Sequence, residues 1–433
     1  MKKRIIMGII LIICLIPGVS FGGNKIFREG MGSQGKPGVT LMDQGNYYRV
    51  ILDYTSGLTP QQMGEALGTA VLKMIPNYET LIDSYISEII TNYEYPNMMY
   101  RVADLKINLN QKYKDEIEGM ASKFSGGTRN IRGDHKISQS EFYLFNLFPD
   151  VARGSQCNFI SVFGRRSATG KTLLTRTLDW YGGDFNELPR IQAVIIFKYP
   201  DTQVCSIGYL GYQGILTGFN NHKIFAAILD STTGAAYSAV GKRSYPLDLR
   251  FTLEHQAALQ DVAAFMLDPR NNYTVNHIIA LADSTESKIL ENNFSGQGTA
   301  HKQVRRALRS DDSRLNKGVT WGITGAVCSV NSFLLYGNSD NHTDNQVNTK
   351  RWKNMKRELR AKGPTVTLKE LKEVASYNHG SPGTFLDSGD LYNKTSLYIV
   401  ALEPDTLSME IFFHPRHTRK SPDKPVFQKI EGL

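Results

Sequence analysis

The chain has 433 residues, of which 41% are hydrophobic and 21% charged, and a formal net charge of +9. This is a globular composition, long enough for two or three domains or for one large α/β domain. The basic excess is dispersed over clusters at Lys302–Arg309, Lys350–Arg360 and Arg416–Lys429, which reads as solvated surface and argues against nucleic acid as a partner.

The chain opens with Lys2, Lys3 and Arg4, an apolar run from Ile5 to Ile16, Pro17, and the small-residue pattern Ser20-Phe21-Gly22. These residues predict a secretory signal peptide over 1–22, too short to anchor in a membrane, and a secreted or periplasmic protein. Cys14 follows Ile13 rather than a small residue, so no lipoprotein site is read there. For an exported chain the cationic clusters leave room only for a weak, transient contact with an anionic membrane surface. Cys157, Cys205 and Cys328 remain after export, too few for a disulfide scaffold of this length. No CxxC or HExxH occurs, and no metal or cofactor is expected.

Residues 23–37 are Gly-rich and polar and read as a flexible lead; Tyr47–Asp53 reads as a strand. Thr59-Pro60-Gln61-Gln62 offers an N-cap with proline at the first helical position, predicting a helix to about Ile75. A second amphipathic helix carries Tyr78, Leu81, Ile82, Tyr85, Ile86 and Ile89 on one face, and Asp115–Phe124 is a third. Ser138-Gln139-Ser140-Glu141 is a capping box that starts a fourth, aromatic helix running to Pro149. Residues 23–156 are therefore expected to be mostly helical, and 157–433 to begin with strands.

The composition shift falls at the sequence GSQCNFISVFGRRSATGKTLLTRTLDW, residues 154–180. Cys157 opens an apolar run with Phe159, Ile160, Val162 and Phe163; a turn-rich segment follows, and then a second run over 172–178. Such a hairpin returns Arg176 and Asp179 to the cysteine. A thiol with an ordinary pKa of about 8.5 needs a nearby cation to become a thiolate near neutral pH. Arg176 could supply that charge, and Asp179 could orient an amine or the guanidinium. A lone strand cysteine is otherwise just a small buried hydrophobe. Gly170-Lys171-Thr172 is not a phosphate-binding loop: the required glycine falls at Arg165, Gly164 is one place early, and a strand rather than a helix follows.

The Cys157…Gly170-Lys171…Arg176-Thr177-Leu178-Asp179-Trp180 pattern resembles the start of the catalytic subunit of the linear amide hydrolases of the N-terminal-nucleophile superfamily. Within it the chain looks most like acid ceramidase and N-acylethanolamine acid amidase, with choloylglycine hydrolases and isopenicillin N acyltransferases further off. The resemblance implies self-cleavage just before Cys157. One residue would then carry both the nucleophilic thiol and, as a new N-terminus, the amine that acts as base. An α-amino pKa of about 7.7–8.0 suits that task. Glu116-Ile117-Glu118-Gly119-Met120-Ala121 and the Phe142–Phe148 helix are similar to the small subunit of acid ceramidase, though both also read as ordinary packing helices.

Beyond Trp180, residues 191–199 and 204–210 read as strands, followed by the glycine-rich Gly208–Phe219. The latter resembles the ceramidase pattern Gly-Tyr-x-Gly-x-x-Thr-Gly-Phe. Closely spaced glycines let a ligand approach the backbone, or mark bulged strand ends. Residues 223–229 form a further strand, and Ser231 after Asp230 departs from the Glu that the resemblance leads one to expect. Leu253–Leu267 reads as a helix, His277–Ala282 with Lys288–Glu291 as a hairpin, and Gln297–Leu315 as a basic surface insertion. Val319–Val330 leads to Asn331, to which the resemblance gives the oxyanion hole; the downstream arginine it implies is matched by Arg351. Thr367–Asn378 reads as a helix and Leu397–Leu402 with Met409–His414 as a terminal hairpin. Cys205 and Cys328 could pair or stay buried thiols. A papain-like alternative would need His222, His277 or His379 beside Cys157.

The resemblance implies an α+β fold, a four-layer αββα sandwich with a helical N-terminal subunit (23–156) that remains associated with the catalytic part (157–433). It implies a small-molecule N-acyl amide substrate, of ceramide or N-acylethanolamine type, with Cys157, Arg176, Asp179, Asn331 and Arg351 as the catalytic set. An acyltransferase and a non-catalytic lipid-binding relative remain the alternatives.

Overall fold

A computed structural model describes residues 25–32, 35–152, 156–231, 239–293, 305–338, 345–383 and 389–430. The signal segment 1–22, Gly154 and Ser155 of the expected cut, and 297–304 of the basic insertion lie outside the described residues.

Three strands come first: β1 (Ile26–Met31), β2 (Pro37–Asp43) and β3 (Tyr48–Asp53). β1 corrects the expected flexible lead. It pairs antiparallel with β2 from Ile26↔Met42 to Met31↔Pro37, while its residues stay exposed or half-buried. A solvated edge strand lacks the clean alternation that marks a strand in sequence, because the pairing with β2 holds it.

The helices follow: α1 (Pro60–Met74), α2 (Tyr78–Ile89), α3 (Tyr95–Ile107), α4 (Gln111–Ala121), α5 (Gln139–Asn146) and α6 (Phe148–Val151). Thr59 and Gln62 close a capping box on α1, and Ser138 and Glu141 close another on α5. α3 had no counterpart in the sequence reading. It buries only Val102 and Leu105 and exposes Tyr100 and Ile107, so its apolar periodicity is blurred. The N-terminal third is helical from Pro60 onward, but not throughout.

Then come β4 (Gln156–Val162), β5 (Leu173–Asp179), α7 (Glu187–Arg190), β6 (Gln192–Lys198), β7 (Gln203–Tyr209), β8 (Thr217–Asn220) and β9 (Phe225–Asp230). The helix expected over Leu253–Leu267 is two, α8 (Tyr245–His255) and α9 (Leu259–Leu267). β10 (His277–Ala282) and β11 (Ser287–Asn293) form the expected hairpin. The described part of the basic insertion opens with β12 (Arg305–Arg309), which pairs with β11, and the strand before Asn331 is only β13 (Ala326–Ser329). The chain ends with α10 (Gln346–Ala361), α11 (Leu368–Ala375), β14 (Ser396–Glu403), β15 (Ser408–Phe413) and β16 (Gln428–Ile430).

Among the described residues the strands make two sheets. One has ten strands in the order β1-β2-β3-β6-β7-β8-β9-β10-β11-β12; the other has six, β13-β4-β5-β14-β15-β16. All pairs are antiparallel except β3–β6, which run parallel from Tyr48↔Ala193 to Asp53↔Lys198. The N-terminal strands thus extend the larger sheet across the expected cut. Side chains of the two sheets meet: Phe159 stacks on Phe225 with ring centroids 6.0 Å apart, and the Ser161 and Ser287 hydroxyls are 2.7 Å apart. Tyr398 and Thr217 hydroxyls lie 3.0 Å apart in the same interface.

A buried charge cluster ties the helices before Cys157 to those after it. Arg250 on α8 is fully buried and donates two hydrogen bonds to Glu116 on α4, at 2.6 and 3.0 Å. Its Nε donates to Glu254 at 2.7 Å, and Arg250 and Lys112 hold the Glu254 carboxyl down, to about 2, against the opposing effect of burial. Removing either partner would strand a buried charge, so the fork fixes α4 against α8.

Candidate active site

β4 and β5 pair so that Gln156 opposes Asp179, Cys157 opposes Leu178 and Phe159 opposes Arg176. Side chains alternate across a strand, so Cys157 and Arg176 share a face and Asp179 lies on the other. The shared face turns toward the ten-stranded sheet. There Arg176 Nη2 donates to Cys157 Sγ at 3.3 Å and to the Ile228 carbonyl at 2.9 Å, with its guanidinium 5.2 Å from the Tyr398 ring centroid. Arg176 is fully buried, and its Nε and Nη1 have no hydrogen-bond partner.

On the opposite face Asp179 accepts from the Ser396 hydroxyl at 2.6 Å and forms an ion pair with Arg351. Burial pushes the Asp179 carboxyl up, and Arg351, Ser396 and Arg176 offset that. Arg351 in turn donates from Nη1 to the Cys157 carbonyl at 3.2 Å. Asp179 therefore reaches the cysteine through Arg351 and the backbone. α10 delivers this arginine: within the cationic stretch read as solvated surface, Arg351, Trp352, Met355 and Leu359 are buried.

Asn331 follows β13, which pairs with β4. Its Oδ1 accepts the Cys157 backbone N–H at 2.6 Å, and its Nδ2 donates to the Asp230 carbonyl at 2.7 Å. Asn348 Nδ2 donates to the Asn331 carbonyl at 3.0 Å and fixes the turn. All five residues singled out in the sequence thus gather around Cys157. Ser396 and Asn348 were missed, and neither sits in a local motif; Tyr209 stands in the Gly208–Phe219 pattern but was not singled out. The pairing of Ser396 with Asp179 across β14 and β5 is the one signal that could have found the first.

Beside the thiol is a cavity of about 80 Å³ whose walls come from both sides of Cys157. Phe145, Phe148, Pro149 and Ala152 precede it; Leu178, Trp180, Tyr209, Tyr212 and Ile228 follow it. The lining is predominantly apolar. No histidine lines this cavity among the described residues. His277 stacks on Tyr245 and places its ring nitrogens at the Val275 carbonyl and Asn292, His379 pairs with Asp390, and His222 is exposed. Cys205 and Cys328 are unpaired, and burial pushes both thiols up.

Gly211, Gly214 and Gly218 of the Gly208–Phe219 stretch are required by the protein's own packing, whereas Gly208 has room for a Cβ. Gly211 has φ +78°, and a Cβ there would lie 2.6 Å from Tyr78 Oη; one at Gly218 would lie 2.7 Å from the Cys205 carbonyl.

Asp150, on α6 just before the undescribed residues 153–155, is fully buried and accepts from Tyr245 N–H at 3.2 Å. Burial raises its pKa from 3.8 to about 8. A folded-state pKa above the unfolded one gives stability that is full below the ordinary carboxylate pKa and lost as pH rises through about 8. The melting temperature should therefore fall between pH 4 and 9 through this group, and Asp150→Asn should flatten that slope. Thermal scans of both proteins across the range check it; parallel slopes would remove Asp150 as the cause.

The sequence matches no family model and no curated protein. Among solved structures the chain is similar to the Caenorhabditis elegans ortholog of N-acylethanolamine-hydrolyzing acid amidase, at 14% identity. The match covers 57% of this chain and 93% of that one, with a TM-score of 0.41. It is similar to conjugated bile acid hydrolase from Clostridium perfringens at 12% identity, over 64% and 97% of the two chains, TM-score 0.37. Penicillin V acylase from Agrobacterium tumefaciens matches at 10% identity, over 59% and 83%, TM-score 0.35.

Proposed function

We propose that the chain is an exported, self-processing cysteine amidase of the N-terminal-nucleophile kind, built as an αββα sandwich and acting on a lipid-like N-acyl amide. The observation that carries this reading is the 3.3 Å contact of the buried Arg176 guanidinium with Cys157 Sγ at the wall of an apolar cavity.

In the processing step the thiol attacks the Gln156 carbonyl, and the resulting thioester is hydrolysed by water, leaving Cys157 with a free α-amine. Asn331 Oδ1 already holds that nitrogen at 2.6 Å and would keep the amine in place. The amine takes the thiol proton, Arg176 favours the thiolate, and Sγ attacks the substrate carbonyl. Asn331 Nδ2 carries two N–H groups; one donates to Asp230, and the second is available for the oxyanion. Collapse expels the amine product, which takes the proton back, and the α-amine then activates water against the thioester. Asp179 and Arg351 act on geometry, bracing the Cys157 carbonyl. The Arg250–Glu116 fork and the β3–β6 pairing support the cut pieces staying together.

Product analysis tests the reading. Incubation with an N-acyl amide should release free acid, and adding an amine acceptor should leave that product unchanged. A new amide formed at the expense of the acid would make the protein an acyltransferase, and no turnover at all would make it a binding relative.

A further inference from the structure

The orphaned hydroxyl of Tyr209 is the feature of the cavity that the proposed mechanism leaves unused. Tyr209 ends β7, is buried, and lines the same cavity as Cys157 and Arg176. Its Oη is shielded from solvent and has no hydrogen-bond partner among the described residues. A phenol sealed in an apolar wall ordinarily finds a partner, because the unmade bond is destabilising. Two neighbouring phenols do: Tyr398 Oη donates to the Ile207 carbonyl at 3.3 Å and Tyr85 Oη to the Tyr181 carbonyl at 3.2 Å, whereas Tyr212 on the same wall shares the unmade bond of Tyr209. Burial pushes the Tyr209 pKa far above its ordinary value, with Cys157 and Arg176 among the charges it feels, so it remains an O–H donor beside the thiol.

Arg176 adds to the same picture, since its Nε and Nη1 are buried donors without acceptors. Unpartnered donors from two sheets thus belong to residues that line the cavity of Cys157. One carbonyl-derived oxygen would complete this arrangement, especially once it carries charge. One N–H of Asn331 is already committed to Asp230.

We propose that Tyr209 is a catalytic hydrogen-bond donor to the oxyanion of the tetrahedral intermediate, an assignment that rests on the amidase reading above. When Sγ bonds to the carbonyl carbon, the C=O π pair moves onto oxygen, and the Tyr209 O–H donates to that oxygen while keeping its proton. When the pair returns, the C–N bond breaks and the amine leaves with the proton held by the Cys157 amine.

The test is Tyr209→Phe in the processed protein, with rates expressed per Cys157 titrated by an alkylating probe. The expected result is a fall in kcat of roughly a hundredfold with KM little changed. The melting temperature should stay equal or rise, because the substitution removes a hydroxyl that bonds nothing in the unliganded protein. An unchanged kcat, or a loss of kcat accompanied by a lower melting temperature, overturns the assignment and leaves the amidase reading intact. Wild-type protein whose Cys157 alkylates but which turns over no N-acyl amide removes both.

Discussion

Cys157→Ala is expected to remain a single chain and to show no amide turnover, while the wild type yields a C-terminal piece that begins at Cys157. Both losses follow from one atom. In the proposed mechanism the thiol is the attacking group in both the processing step and substrate cleavage, and without processing the α-amine proposed as base is never released. Losing a nucleophile of this kind typically costs several powers of ten in kcat. The controls are internal. Cys205 and Cys328 are buried in β7 and β13, with thiols pushed up by burial, so Cys205→Ala and Cys328→Ala should still be cut and still turn over. Their cost is packing, not chemistry. Denaturing gels with N-terminal sequencing read the cut, and release of free acid reads the turnover. An uncut wild type with full activity would remove the N-terminal-nucleophile mechanism, because the Cys157 nitrogen would still be an amide and could not act as base.

How much of this was legible in the sequence depended on whether the determining contact was local. The N-cap at Thr59 and the capping box at Ser138 were, because all their atoms lie within four residues. The Cys157–Arg176 contact was legible too: a tight hairpin fixes its own register, and a face shared by positions 157, 159, 176 and 178 follows from strand pairing. The same logic applied one step further would have put Asp179 on the other face, where its partner is Arg351, 172 residues away in sequence. That partner sits on α10, a helix whose cationic stretch hid five inward side chains. β1 was illegible for the opposite reason: no residue of it is fully buried, and what holds it is pairing with β2 and contact with α1, both distant in sequence. The glycines of the Gly208–Phe219 stretch show that one residue pattern can serve two masters: what reads as room for a ligand is room for Tyr78 and Met120.

Rates on N-acyl amides are expected to rise steeply with the length of the acyl chain. The cavity at Cys157, about 80 Å³ in volume, is walled by Phe145, Phe148, Leu178, Trp180 and Ile228. Each methylene moved from water into such a wall contributes about 0.8 kcal/mol, or about fourfold in kcat/KM while the chain still fits. Four added methylenes should therefore raise kcat/KM by more than a hundredfold. The gain ends when the cavity is full, because further methylenes remain in water or force the packed walls apart. Phe145, Phe148, Pro149 and Ala152 all precede the cut. Their movement after processing could lengthen the channel, so the uncut Cys157→Ala chain should bind long acyl chains less tightly than the processed enzyme. A series with one head group and acyl chains of two to sixteen carbons measures the rise and its plateau. A flat series, or a preference for a short aryl-acetyl group over every long chain, would rule out a lipid-like substrate and place the specificity in the amine portion or in a compact aromatic acyl group.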